Sequence, residues 1–208
     1  MIVVAILILM VVPPLQESFA RITYCHEFSG GAYEKQCVEL KPDGTGQSRL
    51  KRRGGAETSG SLTLSQPGRE RLLSVIAGTR NLADRQKYET TKKVANLGRK
   101  HIALEMPAET READFNYSDL KEVNALATFF DGLLNQQALI ADIETATQYE
   151  RLSIPERLDQ LEGQLKLGVI GDPQGLIPLL DKIIRNDALL DYARAHAEQI
   201  KNQLLIGK

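Results

Sequence analysis

The 208-residue sequence has no tryptophan, only two cysteines and only three histidines, and the scarcity of cysteine and histidine limits the sites that it can form. Two cysteines form at most one disulfide, which excludes a disulfide-rich scaffold. None of His26, His101 and His196 has a second metal-type residue at ligand spacing, and the HExxH, CxxC, GxSxG and phosphate-loop patterns do not occur. We therefore predict no metal site and no cofactor, and no motif selects a catalytic residue.

Long apolar runs are also scarce, and the sequence has one, the eleven residues Ile2–Val12. The run is shorter than the span of a bilayer core, about 30 Å, and Pro13-Pro14 follow it. Ser18-Phe19-Ala20 places small residues at both positions that a signal peptidase reads. We predict that residues 1–20 are a secretory signal peptide and that the mature protein begins at Arg21, in the periplasm or outside the cell.

The predicted signal peptide lacks one usual feature, because no Lys or Arg precedes Arg21. The true start would then lie upstream of Met1. Two other interpretations remain open, a buried core element and a retained membrane anchor. If the segment is cleaved, we expect no stable membrane insertion of the mature chain.

The two cysteines lie in a segment that predicts a β-hairpin. A turn centred on Gly31 places Cys25 opposite Cys37 on one face, and a disulfide in an exported chain is the expected outcome. The same register pairs apolar residues on the other face, Ile22 with Leu40 and Tyr24 with Val38. The rival hypothesis is a catalytic Cys25 assisted by His26, which strand geometry disfavours because neighbouring side chains point to opposite faces.

A polar third strand is predicted at residues 45–53, as a sheet edge, with a loop over residues 54–60. It carries a basic cluster that is a candidate anion-binding site: Arg49, Lys51, Arg52 and Arg53. A charged edge strand also prevents aggregation, so this cluster has a structural explanation too.

Charge is unevenly distributed along the chain. Residues 21–100 have 16 basic and 8 acidic side chains, whereas residues 101–208 have 10 basic and 18 acidic ones. One interpretation is that the two halves dock on each other, or that the charge difference is scattered over the surface. The alternative is a basic N-terminal face for an anionic partner such as nucleic acid, an anionic glycan or a membrane surface.

The rest of the N-terminal part predicts one helix and a second hairpin. Ser65 is the expected N-cap of the helix, with Pro67 in its first turn. Residues 81–97 are polar and predict an exposed loop. The hairpin that follows is predicted with Ile102 opposite Phe115 and Leu104 opposite Ala113.

From Ser118 onward the pattern is helical. The first expected helix has Ser118 as its N-cap and runs to about Tyr149, and the second begins at a Ser-x-x-Glu capping box at Ser153 and ends at Gly168. The third begins at Asp172-Pro173 and ends at Asn186-Asp187, and a last helix runs to about Leu205. The predicted fold class is α+β, a small antiparallel sheet of two hairpins with one packed helix, followed by an all-helical bundle. We place the domains at residues 21–117 and 118–208.

Two resemblances add to this interpretation. The segment LIPLLDKIIRNDALLDYARAHAEQIKNQLL, residues 176–205, resembles a single HEAT-type helical hairpin. The segments YCHEFSGGAYEKQCVELKPDGTG, FNYSDLKEVNALATFFDGL, YERLSIPERLDQLEGQL and DPQGLIPLLDKI resemble a family of uncharacterised exported bacterial proteins. That resemblance implies export but no activity, substrate or catalytic residue.

Function is predicted only as a class. The leading hypothesis is a non-enzymatic exported module that binds another protein. One alternative is an exported hydrolase with its site in the cleft between the two parts. The other is a binder of anionic envelope polymers through the basic N-terminal part.

Overall fold

The computed structural model describes residues 19–82 and 88–206, and it confirms the α+β class. The described residues form six strands: β1 (Arg21–Glu27), β2 (Tyr33–Leu40), β3 (Thr45–Arg52), β4 (Glu57–Thr63), β5 (Arg99–Glu105) and β6 (Thr110–Phe115). They also form five α-helices: α1 (Gln66–Gly78), α2 (Lys121–Tyr149), α3 (Ile154–Lys166), α4 (Ile177–Ile184) and α5 (Asp191–Ile206). Residues 1–18, most of the predicted signal peptide, lie outside the described residues.

All six strands belong to one antiparallel sheet in the order β4-β3-β2-β1-β5-β6. The predicted register of the first hairpin is confirmed, because Cys25 lies opposite Cys37 and the apolar pairs Ile22–Leu40 and Tyr24–Val38 form as expected. The cysteine sulfurs are 2.11 Å apart, at disulfide distance. Strand alternation therefore gives the sheet an apolar inner face and a polar outer face.

The predicted edge strand is not an edge. Residues 57–60, which were expected in a loop, begin β4, and β4 pairs with β3 along its whole length. The sequence ETSGSLT has a single large apolar residue, Leu62, so it lacks the alternation that identifies a strand. Strand β3 supplies the backbone partners that β4 needs, whatever side chains β4 carries.

The predicted register of the second hairpin is wrong by two residues. Ile102 lies opposite Ala113, and Leu104 lies opposite Arg111. The turn is tighter than expected, with Met106 N donating to Glu109 O over 2.8 Å. Because the shift is even, the residues keep their predicted faces, and Ile102 and Leu104 are fully buried.

Helix starts follow the predicted serines only in part. Ser65 caps α1 as expected, its Oγ accepting from Gly68 N at 3.1 Å. Ser118 is not an N-cap, because its Oγ accepts from Leu120 N in a turn before α2 begins. Ser153 Oγ donates backwards to Glu150 O, so the predicted capping box does not form.

Two hydrophobic cores are built along one helix. The first lies between the inner face of the sheet, α1 and the N-terminal half of α2, where the Tyr24 and Phe130 rings stack with centroids 5.0 Å apart. The second lies inside a bundle formed by the C-terminal half of α2 with α3, α4 and α5. Helix α2 contributes Leu134 to the first core and Leu139 to the second, so it belongs to both.

The chain before β1 is part of the first core. Phe19 is 6% exposed and packs in that core, and Ala20 N donates to Glu105 O over 2.7 Å. Cleavage before Arg21 stays a prediction, and it would remove Phe19 from these contacts.

A buried carboxylate joins the two cores. Asp172, 2% exposed, accepts hydrogen bonds from Ser65 N at 2.7 Å and from Ser65 Oγ at 2.5 Å, and its own N–H donates to Gln136 Oε1. The close fit excludes a side chain at Gly68, where a Cβ would lie 2.5 Å from Asp172 Cγ. The start of α1, the middle of α2 and the turn before α4 are therefore tied at one point.

We predict that Asp172→Ala lowers the free energy of unfolding by about 2–3 kcal/mol, because the partly buried N–H and hydroxyl of Ser65 both lose their acceptor. Denaturant melts give the value. Asp187→Ala is the matched control, since the Asp187 side chain is 93% exposed, and its effect should stay within about 0.5 kcal/mol. Equal effects of the two variants would contradict the role of Asp172.

Candidate functional site

An open cleft of about 500 Å³ lies beneath strand β4. Its roof is the inner face of β3 and β4, its floor is the C-terminal half of α2, and its far wall is α4. The residues from the helices that line it are Gln137, Ile140, Ala141, Glu144, Pro178, Leu179 and Lys182. The cleft thus lies between the sheet and the helical bundle, with α2 contributing to both.

Strand β4 is an edge strand, and its hydrogen-bonding pattern identifies the groups on its free side. Just past its end, Leu64 N donates to Gly44 O over 2.9 Å. Alternate residues of an antiparallel strand bond to the same neighbour, so Leu62 and Gly60, like Leu64, direct their backbone N–H and C=O groups toward β3. The backbone N–H and C=O groups of Ser59 and Ser61 therefore point away from β3, toward solvent.

The side chains of β4 leave room above the cleft. Gly60 lies on the inner face, opposite Ser48. A Cβ built on Gly60 meets only Ser48 Oγ, at 3.5 Å. The absence of a side chain at this position therefore opens the cleft directly under the free edge of the strand.

Polar groups line the inner part and the rim of the cleft. Ser48 and Gln137 are 3% and 8% exposed, and Ser48 Oγ donates to Gln137 Oε1 over 3.4 Å. Among the described residues nothing hydrogen-bonds the Gln137 amide nitrogen. At the rim, Lys182 Nζ donates to Glu144 Oε1 over 2.9 Å, with both side chains exposed. The cleft thus offers apolar walls, one amide donor and one ion pair.

The other edge of the sheet, β6, is different in character. It carries Arg111, Glu112 and Asp114, and the 3₁₀ turn at residues 80–82 packs against it, with Arg111 Nη1 donating to Asn81 O. Charged residues and covering segments are the usual protection of an edge strand. Between Thr58 and Thr63, strand β4 carries no charged residue, and among the described strands it pairs with β3 alone.

The four residues of the predicted anion-binding cluster do not act as one group. Alternation along β3 puts Arg49 and Lys51 on the outer side and Arg52 on the inner side, where it pairs with Asp142 of α2 and lies over the Tyr33 ring. Lys51 Nζ lies 2.6 Å from Glu34 Oε1, and Arg53 donates to the carbonyls of the β1–β2 turn. Of the four, only Arg49 has no described carboxylate or carbonyl partner.

A Tyr–Asp–His cluster, which the sequence analysis did not identify, lies at the other end of the first core. Tyr24 OH donates to Asp131 Oδ1 over 2.7 Å, and His26 Nδ1 lies 3.1 Å from the same oxygen. His26 Nε2 contacts Leu97 O at 2.8 Å, so the loop before β5 covers the ring. Both ring nitrogens have partners, and the cluster holds this loop to the sheet and to α2.

Neither a metal centre nor a membrane-spanning helix is found in the described ranges. Within residues 19–82 and 88–206, His, Cys, Asp and Glu side chains do not converge in groups of three that would hold a metal ion. In the same ranges no helix has the length and apolar character needed to cross a bilayer. Comparison of the sequence with protein-family models and with curated proteins gave no match. The resemblance to an exported bacterial family therefore stays a prediction.

Burial, with the Asp131 carboxylate next in importance, raises the pKa of the Tyr24 phenol well above its ordinary value of about 10. The folded state then keeps its proton where the unfolded state loses it, so stability falls as pH rises above about 10, by about 1.4 kcal/mol per pH unit. We predict that Tyr24→Phe reduces this slope in urea melts between pH 9 and 11. Burial also raises the pKa of Tyr33, so a smaller contribution of the same sign remains.

The matched control is Tyr192→Phe, at an exposed position of α5, which should keep the slope of the wild type. An unchanged slope in Tyr24→Phe would contradict the assignment.

Proposed function

We propose that this chain is an exported, non-enzymatic interaction protein, periplasmic or secreted, that binds an extended segment of a partner protein along strand β4. The partner segment adds to the sheet as a further strand. The main support for the proposal is the free edge of β4, which is uncharged from Thr58 to Thr63 and lies above an open cleft.

The backbone provides the affinity in this mode of binding. The outward N–H and C=O groups of Ser59 and Ser61 pair with the partner strand, as in other complexes formed by strand addition. Pairing with β3 already holds the backbone of β4 in an extended conformation, so the protein loses little conformational entropy on binding.

The cleft provides the selectivity. In the added strand, the residue opposite Gly60 directs its side chain to the inner side of the sheet, because paired residues share a face. There it meets the apolar wall formed by Ile140 and Leu179 and the amide of Gln137. We expect an apolar side chain with a polar tip to be preferred at this position.

Export is supported by the cysteine pair at disulfide distance, since disulfides persist in oxidising compartments. The arrangement that we propose for the protein is a sheet with α1 on its inner face, followed by a helical bundle whose α4 forms one wall of the cleft. The partner interaction uses both parts, because the edge strand comes from one and the wall from the other.

The two alternatives predicted from the sequence have less support. Polyanion binding through the basic cluster has little support, because three of its four cations already contact carboxylate or carbonyl groups of the protein. For a hydrolase in the cleft, the lining residues offer the Glu144–Lys182 pair and hydroxyl groups but no histidine. We therefore rank both below strand addition.

The test selects ligands from a displayed library of unstructured decapeptides and measures affinity by fluorescence anisotropy. Ser61→Pro removes an outward N–H but no ladder bond, so the variant folds and binds a selected peptide at least about tenfold more weakly. Ser61→Ala keeps the N–H and should bind like the wild type. Equal binding by Ser61→Pro, or a library that yields no ligand, would contradict the proposal.

A further inference from the structure

The disulfide lies in the middle of a row of chemically active residues that crosses the outer face of the sheet. Strand register places Asp114, His101, Cys25, Cys37 and Arg49 side by side on five neighbouring strands. We call these five residues the outer row. The core residues of the sheet lie on its other face, so the outer row faces away from both cores.

The two cysteines differ in their exposure to solvent. Cys37 is 4% exposed, whereas Cys25 is partly exposed and borders an open pocket of about 240 Å³. The other residues that line this pocket are Glu27, Lys35, Arg99, His101 and Asp114. An incoming thiol therefore reaches Cys25 Sγ before it reaches Cys37 Sγ.

A histidine beside the pocket is oriented by a carboxylate. His101 Nδ1 lies 3.3 Å from Asp114 Oδ1, and Arg99 Nη2 lies 3.2 Å from the same oxygen. None of the described residues hydrogen-bonds His101 Nε2. A base held by a carboxylate, with its other nitrogen available beside a sulfur, is the arrangement that activates thiols in other proteins.

A cation lies on the other side of the disulfide. Arg49 is directly opposite Cys37 in the register of β2 and β3. Its neighbours on β3 are neutralised, Lys51 by Glu34 and Arg52 by Asp142, but Arg49 has no described carboxylate partner. Its charge is thus available to a thiolate at Cys37, and a nearby guanidinium favours the thiolate form.

We propose that Cys25–Cys37 is an exchange-active disulfide that oxidises a dithiol on a partner protein. His101 Nε2 takes the proton of the first partner thiol, and the resulting thiolate attacks Cys25 Sγ. A sulfur–sulfur bond forms there, the Cys25–Cys37 bond breaks, and its electron pair leaves on Cys37 as a thiolate beside Arg49.

The second step releases Cys25 from the mixed disulfide. The other thiol of the partner loses its proton to water and attacks the partner sulfur of the mixed disulfide, which releases Cys25 as a thiolate. The partner dithiol has then lost two electrons and two protons and has become a disulfide, and Cys25 and Cys37 are both reduced. One equivalent of dithiol is consumed for each disulfide.

The first test identifies the attacked sulfur. The folded protein is treated with reduced glutathione, quenched with N-ethylmaleimide and mapped by mass spectrometry. Glutathione should be found on Cys25 and maleimide on Cys37. The reverse assignment, equal labelling of the two, or no adduct without denaturant would overturn the proposal.

The second test measures the rate of reduction by dithiothreitol in folded variants. Arg49→Gln should slow the reaction about threefold to tenfold, whereas the matched control Lys51→Gln, on the same strand and face, should change it less than about twofold. His101→Gln should slow it by a similar factor at pH 7 but not at pH 10, where dithiothreitol is already ionised. Equal rates for Arg49→Gln and Lys51→Gln, or a His101→Gln effect that persists at pH 10, would contradict the assigned roles.

Discussion

The rest of the structure depends on one continuous helix that is shared by two cores. Helix α2 has 29 residues, about 43 Å of length, and its N-terminal half packs in the core beneath the six-stranded sheet. Its C-terminal half packs with α3, α4 and α5 in the second core. Where the two cores adjoin, β3 and β4 lie on one side of the helix surface and α4 lies on the other, and the space between them is the cleft beneath β4.

The uneven charge along the chain is partly explained by contacts to the same helix. Arg52 of the basic N-terminal part pairs with Asp142, and His26 lies beside Asp131, both carboxylates of α2. Other cations are neutralised within the sheet, as Arg21 is by Glu39 and Glu105. The charges of the two halves therefore meet in part at their contact, as expected if the two halves dock on each other.

Alternating side chains predicted the faces of the strands in both hairpins, but they predicted the register only in the first, and a strand formed by backbone pairing alone was missed. The first hairpin was predictable in register because a cysteine pair and two apolar pairs all require the same turn. Strand β4 was missed because its residues are small and polar, although Ser59 and Ser61 are for that reason suited to a free edge. An uncharged Thr-Ser-Gly-Ser run after a strand and a short turn is the signal that would have suggested it.

The long-range polar contacts were beyond prediction, because they join residues far apart in the chain. Asp172 has the sequence of a helix start, yet its carboxylate bonds to Ser65, 107 positions away. His101 and Arg49 lie beside the disulfide only because of the strand order, which puts β5 next to β1 and β3 next to β2. No spacing along the chain indicates that these residues flank the disulfide.

The central claim is that β4 has a free edge with the backbone groups of Ser59 and Ser61 available to a partner. Residue-resolved amide hydrogen exchange of the unliganded protein by NMR tests it most directly. We expect rapid exchange at Ser59 and Ser61 and slow exchange at Gly60 and Leu62, whose N–H groups lie in the β3 ladder. The reverse pattern, or uniform protection along residues 58–63, would contradict it.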